Sequence, residues 1–355
     1  MTNTIMDLQV QKLQAMLYAK ASHEPKLRFN RLYRQMLKPH WAWAAAQKVL
    51  SNRGSRTAGV DGKARSDYLE EGERWKLVMS ILDGLDNQTY RPSPVRRVYI
   101  PKPNGKMRPL GIPTLKDRIV QEMVRMLIEP IYEATFLPCS YGFRPNRCTW
   151  DALAETYQFL RPQRQYYTVI EGDIENCFGT IQHGLLMKQL QRRIGDAKLL
   201  TLIWKMLRAG VMEDLQYSET TEGTPQGGII SPLLANVYMH QLDEWMHQRF
   251  YSLNANARNR RRRKGDIFAC VRYIRYADDF ILLVRESQAA PVLKQEMQMT
   301  LSEEKTLITD AREGGFDFLG EHVYVAPREA TRTACCPSFG LLRSQSRLTG
   351  EKSRN

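Results

Sequence analysis

Two carboxylates stand side by side in Tyr276-Ala277-Asp278-Asp279-Phe280, between the runs Val271-Arg272-Tyr273-Ile274-Arg275 and Ile281-Leu282-Leu283-Val284. Like charges at the tip of an apolar hairpin raise each other's pKa unless a cation neutralises them. One reading is therefore a divalent-metal site; the other is a solvated turn, where Asp is common. A second acidic strand end lies upstream, where Tyr166-Tyr167-Thr168-Val169-Ile170-Glu171-Gly172 runs into Asp173. Oxygen-ligated Mg²⁺ takes one or two protein carboxylates and leaves its other positions to water and phosphate. Asp173 and Asp278, side by side at the ends of buried strands, would suit two-metal phosphoryl transfer with ions ~3.5–4 Å apart. Each aspartate taken alone is equally a strand-terminating residue.

Two further segments carry chemistry of a matching kind. Thr224-Pro225-Gln226-Gly227-Gly228 precedes a helix that starts near Ser231. Its glycines let backbone approach a ligand closely, and Gln226 offers both a donor and an acceptor. A plain loop into a helix cap is the alternative. The stretch Arg96-Arg97-Val98-Tyr99-Ile100-Pro101-Lys102-Pro103-Asn104-Gly105-Lys106-Met107-Arg108-Pro109-Leu110 reads as a basic hairpin. With a three-residue loop, Pro103 and Asn104 form a type I turn and Gly105 takes the left-handed position. Lys102 then faces Lys106, Ile100 faces Arg108, and alternation places all four on one face. Three cations on one surface suit a triphosphate; a solvated basic hairpin is the alternative.

These residues need elements to hold them. The first 50 residues read as helical, with Leu27, Leu32, Met36 and Leu37 at helical intervals before Pro39. A Gly/Ser-rich basic loop covers 51–62. The pattern predicts a hairpin from Val95 to Pro113, a helix from Leu115 to Ile131 and a strand over Tyr166–Ile174. It also predicts helices over about 184–210 and 232–248, the latter with Ser231 as cap and Pro232 in its first turn. Val271 to Val284 reads as two strands joined by the acidic turn. Strands interleaved with long helices imply a mixed α/β or α+β architecture. Residues 321–355 show no clear period.

The chain has 355 residues and 52 Lys+Arg against 38 Asp+Glu, a formal net charge of +14. That length is enough for two or three packed lobes, and 43 % hydrophobic with 25 % charged residues excludes disordered and fibrous classes. The positive balance points to a polyanion, with nucleic acid the usual one. Six cysteines are too few for a disulfide scaffold, and neither they nor the six histidines show zinc-ligand spacing. No membrane partner is expected, because no stretch approaches the ~18–20 apolar residues of a span. Met1–Asp7 lacks signal-peptide character, so the expected location is cytoplasmic. One charge run remains: Arg258, Arg260, Arg261, Arg262, Arg263 and Lys264 read as a flexible loop that contacts RNA phosphates, a solvated loop being the alternative.

In this order the segments resemble a group II intron reverse transcriptase, the polymerase and maturase encoded within mobile bacterial introns. The resemblance runs from about residue 28 to 325. It begins with Thr57-x-Gly59-x-Asp61-Gly62 and continues through Ile100-Pro101-Lys102, Arg108-Pro109-Leu110-Gly111-Ile112-Pro113-Thr114, Asp117-Arg118 and Gln121. It then takes in Ser140-Tyr141-Gly142-Phe143-Arg144-Pro145, Asp173 to Phe178, Thr224–Gly228 and Tyr276–Asp279. Ser302-x-Glu304-Lys305-Thr306 and Phe316-x-Phe318-Leu319-Gly320 complete it.

The resemblance implies an α+β right-hand polymerase fold, with fingers and an antiparallel palm sheet packed on helices. A helical N-terminal extension with a basic loop would span 1–62, fingers with part of the palm 63–165, and palm 166–325. Asp173, Asp278 and Asp279, with the Ile174 backbone, would hold two Mg²⁺ ions, Mn²⁺ being an alternative. Lys102 and Arg108 would grip a deoxynucleoside triphosphate, Gln226, Gly227 and Ile174 would line its pocket, and Phe178 would block a ribose 2′-hydroxyl. Lys305 matches a lysine that protonates pyrophosphate. Expected partners are an RNA template, intron RNA, a DNA primer and product, and dNTPs. A non-polymerising splicing cofactor, an inactive remnant and a domesticated defence or CRISPR-associated enzyme are the competing readings. An RNA-dependent RNA polymerase is disfavoured by the Ala277-Asp278-Asp279 turn and Phe178.

The pattern departs from the family at two places. Ile174-Glu175-Asn176-Cys177-Phe178-Gly179-Thr180-Ile181-Gln182-His183 replaces the usual Lys-Gly before Cys-Phe and the Asp-Asn and Asp after it. Only 35 residues follow Gly320, fewer than the ~40 that commonly fold alone. Residues 326–355 are accordingly expected to be a truncated thumb remnant or a disordered basic tail.

Overall fold

The computed structural model describes residues 2–101, 105, 107–174, 177–214, 216–224, 227–251, 255–297, 307–325 and 341–343. It divides into two compact units: unit 1 is 1–136 with 176–241, and unit 2 is 137–175 with 242–355.

Unit 1 contains α1 (Thr2–His23), α2 (Leu32–Met36), α3 (Pro39–Ser51) and α4 (Glu71–Asp86). The hairpin β1 (Val95–Pro101) and β2 (Met107–Ile112) leads into α5 (Leu115–Glu133). Thr114 caps α5, its Oγ1 accepting the amide of Asp117 at 3.1 Å, and the helix is buried nearly all round. Ile119, Met123, Leu127 and Ile128 are all fully buried, each such side chain worth ~1.5–3 kcal/mol relative to exposure. α1 and α3 pack on α5, with Gln14 Nε2 donating to the Met126 carbonyl and Trp41 Nε1 to that of Met123, both at 3.0 Å.

The β1–β2 register pairs Ile100 with Arg108 and Pro101 with Met107, and Gly105 has a φ of 77°. This is the pairing and the left-handed glycine expected of the three-residue loop; Lys102 and Lys106 lie outside the described residues. The sheet extends in the order β2-β1-β4-β5, with β4 at Val211–Glu213 and β5 at Gln216–Ser218. The helical stretch expected over 184–210 is two helices. α7 (His183–Arg193) ends before Gly195, and α8 (Ala197–Leu207) restarts under the Asp196 cap.

Unit 2 holds α6 (Thr149–Leu160) and a four-stranded sheet. Its strands are β3 (Thr168–Asp173), β6 (Val271–Tyr276), β7 (Asp279–Val284) and β8 (Leu307–Asp310), in the order β6-β7-β3-β8, every pairing antiparallel. Both faces are covered. Val169, Ile274, Ile281 and Leu283 pack with Leu153 and Leu160 of α6. Ile170, Tyr273, Phe280 and Leu282 pack with Met246, Phe250 and Leu293. Two-sided burial explains why Ile281–Val284 is continuously apolar rather than alternating.

α9 (Ser231–Met246) begins in unit 1 and ends in unit 2. α11 covers Ala289–Met297, and β9 (Phe316–Phe318), β10 (Glu321–Val323) and β11 (Leu341–Arg343) form a small antiparallel sheet. Most of 326–355 lies outside the described residues.

One expectation is corrected. The arginine run is not a loop but α10 (Ala255–Arg263). Arginine is a good helix former, and Arg261 pairs with Asp266 just beyond the helix end. Among the described residues, no helix is long and apolar enough to cross a membrane.

Candidate active site

The acidic end of the unit 2 sheet is built by register. Strand β3 pairs with β7 so that Asp173 lies opposite Asp279 and Gly172 opposite Phe280. Asp279 also pairs with Tyr276 across β6 and β7, leaving Ala277 and Asp278 as the two turn residues. The Ile174 amide donates to the Asp278 carbonyl at 3.4 Å, so three aspartates meet in backbone terms at one strand end. Asp278 is half-buried and Asp279 exposed; the Asp173 side chain lies outside the described residues. Aspartate side chains offer hard carboxylate oxygens, the kind of donor that Mg²⁺ and Mn²⁺ prefer. Among the described residues no group of three His, Cys, Asp or Glu side chains could hold an ion.

Asp279 also borders a cleft of about 380 Å³ with Glu171, Gly172, Asp317 and Gly320. Burial raises the Glu171 carboxyl, against the bond from Thr309 that lowers it. Gly172 is there because nothing larger fits: a Cβ on it would come within 2.2 Å of the Phe280 ring.

The turn has a buried support that the sequence pattern did not single out. Arg275 is fully buried. It donates to both carboxylate oxygens of Asp243, Nε to Oδ1 at 2.8 Å and Nη2 to Oδ2 at 2.6 Å. Nη2 also reaches Ser140 Oγ at 2.7 Å, and Nη1 the Ala277 carbonyl at 2.7 Å. Burial opposes the guanidinium charge, but Asp243 outweighs it and holds the group above its ordinary range. Burial, then Asp243, pushes the Cys139 thiol up to about 12.

In unit 1 the glycine-rich segment is bonded to residues 178–181. The Thr224 amide donates to the Phe178 carbonyl at 2.7 Å, and that of Gly223 to Ile181 at 2.8 Å. Gly227 has a φ of 113°, and a Cβ there would meet the Gly111 carbonyl of β2 at 2.7 Å. Phe178 is half-buried and packs on the unit 1 core, while Arg108 is exposed on β2. Phe178 and Gly227 thus belong to one loop cluster beside the hairpin that carries Arg108. A cleft of about 240 Å³ is lined there by Arg97, Pro109, Gly111, Gly179, Glu222 and Thr224, among others. Arg97 is an addition; its signal was the Arg96-Arg97 pair opening the basic hairpin. Lys102, Gln226 and Lys305 lie outside the described residues.

The start of α5 organises this cluster. Gln121 Oε1 accepts the Ile229 amide at 2.8 Å. Asp117 accepts from Tyr90 at 2.5 Å, from Thr114 at 2.6 Å and from the Ser93 amide at 3.1 Å. Arg118 donates to the carbonyls of Pro113 at 2.8 Å and of Gly54 and Thr57 at 2.7 Å, docking the 51–62 loop.

Residues 100–320 match the reverse transcriptase (RNA-dependent DNA polymerase) family, and the chain belongs to it. Its α+β architecture, with an antiparallel sheet ending in aspartates, is of that class. Within the family it is of the group II intron type. It is 36 % identical over 350 residues to the group II intron-encoded protein LtrA of Lactococcus lactis subsp. cremoris, covering 84 % of this chain and 57 % of that protein. It is 38 % identical over 371 residues to protein YkfC of Escherichia coli K12, covering 98 % of this chain and 94 % of that one. The putative COX1/OXI3 intron 1 protein of Saccharomyces cerevisiae is 30 % identical, covering 80 % of this chain and 38 % of its own. The chain therefore spans nearly all of one relative and just over half of another. Among solved structures, a chain of a partial Cas6-RT-Cas1–Cas2 complex has a TM-score of 0.43 at 22 % identity, covering 76 % of this chain and 41 % of its own. Telomerase from Candida albicans has 0.49 at 12 %, covering 79 % and 50 %. Likenesses this distant add nothing to the family assignment. Divalent metal ions and nucleic acid, including an RNA template, go with the family.

Proposed function

We propose that this chain is an RNA-directed DNA polymerase of a group II intron that joins deoxynucleotides to a primer 3′-hydroxyl on an RNA template. The observation that carries the reading is the register of β3, β6 and β7, which brings the backbones of Asp173, Asp278 and Asp279 to one strand end. These carboxylates, with the Ile174 backbone, hold the metal site. Two Mg²⁺ ions bound there, or Mn²⁺ in their place, would supply activation of the 3′-hydroxyl and stabilisation of the leaving oxygen. The 3′-hydroxyl gives up its proton to water, its oxygen attacks the α-phosphorus, the α–β phosphoanhydride bond breaks, and pyrophosphate leaves.

Lys102 and Arg108 bind the triphosphate, Gln226 and Gly227 line the nucleotide pocket, and Phe178 rejects the 2′-hydroxyl. Lys305 protonates the departing pyrophosphate. By role, 1–62 is the N-terminal extension, 63–165 the fingers and 166–325 the palm. The protein works in the cytoplasm and needs no zinc.

A maturase role accompanies polymerisation. α10 exposes Arg260, Arg261 and Arg263, with Arg258 and Arg262 half-buried and Lys264 exposed just past the helix end, a charge density suited to intron RNA phosphates. The decisive experiment is DNA primer extension on an RNA template with Mg²⁺: wild type extends, and Asp278→Ala falls to background. No extension by wild type, with splicing of the parent intron RNA still stimulated, would leave the splicing-cofactor reading.

A further inference from the structure

The acidic turn adopts a conformation that needs holding. In a two-residue hairpin turn, a positive φ at the first central residue is normally the place of glycine. Here Ala277 takes it, at 60°. Its carbonyl receives Nη1 of Arg275 at 2.7 Å. On its other side Gly142 presses close: a Cβ on Gly142 would come within 2.3 Å of the Ala277 nitrogen. Gly142 belongs to a segment already bonded to β6. The Arg275 amide donates to the Cys139 carbonyl and the Tyr141 amide to the Arg275 carbonyl, both at 2.8 Å. The turn is thus held at its carbonyl by a side chain, with the Gly142 backbone packed close against its amide side.

A buried ion pair seldom adds stability over apolar residues of similar volume. The use of Arg275–Asp243 is better sought in what the pair does with its remaining donors. Asp243 takes two of the guanidinium's five N–H donors and fixes its plane, and Tyr273 adds a bond to Asp243 Oδ1 at 3.1 Å. One donor is thereby aimed at the Ala277 carbonyl, one residue before Asp278.

We infer that Arg275 is a positioning residue: paired with Asp243 and braced by Ser140, it locks the Ala277 carbonyl and so sets how Asp278 and Asp279 are presented to a divalent ion. This rests on the polymerase reading only in taking those aspartates as metal ligands. Arg275 touches no substrate; it acts through the backbone of the turn.

The test uses the full chain with Arg275→Gln, Arg275→Lys and Gly142→Ala, the last leaving the ion pair intact. Three quantities are measured: amide hydrogen exchange, Mn²⁺ affinity from the spin-resonance signal of free Mn²⁺, and primer-extension kinetics. Arg275→Gln should raise exchange at 276–279 about tenfold beyond the rise that the lost ion pair brings to the β3 amides of Val169 and Ile170. It should also weaken Mn²⁺ binding and lower kcat about 10–100-fold with little change in the KM for dNTP. Arg275→Lys should recover part of each loss. Gly142→Ala should show the same turn-limited signature.

Exchange rising evenly across the sheet, with unchanged Mn²⁺ affinity, would overturn the inference in favour of a merely structural pair. If Arg275 variants do not fold, Gly142→Ala decides, and unchanged turn exchange and Mn²⁺ affinity refute the idea. A wild type that fails to extend primers removes the polymerase reading, while exchange and Mn²⁺ binding still decide the positioning role.

Discussion

Among the arginines that the two units bury, Arg118 and Arg275 are answered by different partners. Arg118 in unit 1 directs its donors to three backbone carbonyls, those of Pro113, Gly54 and Thr57, and burial lowers its pKa. Arg275 in unit 2 meets a fully buried carboxylate and keeps one donor for a single turn carbonyl. The first arrangement ties together segments distant in sequence and leaves the charge to be solvated by peptide dipoles. The second neutralises the charge locally and concentrates its restraint on one peptide group. Linking loops and fixing a turn are separate tasks, and the choice of partner follows from them.

The largest expected effect comes from breaking the neutralised arrangement. Asp243→Ala strands a buried guanidinium and should cost about 3–5 kcal/mol, read from the urea midpoint. Adding Arg275→Met should restore much of that loss. A double variant no more stable than the single one would show that charge neutralisation is not what distinguishes this site.

A smaller and more local effect is expected in unit 1. Arg118→Met leaves three carbonyls without their charged donor, a loss of about 1.5–3 kcal/mol. Limited proteolysis and hydrogen exchange should show the change confined to 51–62. Loosening spread through α5 and α3 would contradict the idea that Arg118 works as a loop anchor.

The smallest effect is a pH dependence. Burial raises the Asp117 carboxyl in the folded protein, against bonds from Thr114, Tyr90 and Ser93 that lower it. A carboxyl with a raised folded pKa binds its proton more readily folded than unfolded. Its contribution is fully present below the ordinary value of 3.8 and declines as pH rises through the folded value. The Tm of wild type relative to Asp117→Asn should therefore fall as pH rises through that window. A rise instead would mean that the three bonds outweigh burial.

Much of this was legible in the chain itself. The β1–β2 register followed from Pro103 and Gly105 through turn chemistry alone, and the β6–β7 hairpin from its apolar runs around two acids. Local rules suffice where pairing partners are near in sequence. Arg275 was not legible as a support, because Asp243 lies 32 residues away and Ser140 135 residues away; only tertiary structure joins them. The arginine run reads as a loop from its charge alone, whereas arginine's helix propensity prevails in α10. Asp117, Arg118 and Gln121 stood out as a family pattern, while their work as bonds to three separate segments is visible only in the folded protein.

The contact between Gly172 and Phe280 reaches beyond packing. The aromatic ring fills the space a side chain at 172 would take, beside the strand pair Asp173 and Asp279. The two positions are therefore not independent in inheritance. A larger residue at 172 is admissible only with a smaller one at 280, so the pair should co-vary among relatives as a unit, and drift at either position alone would be selected against.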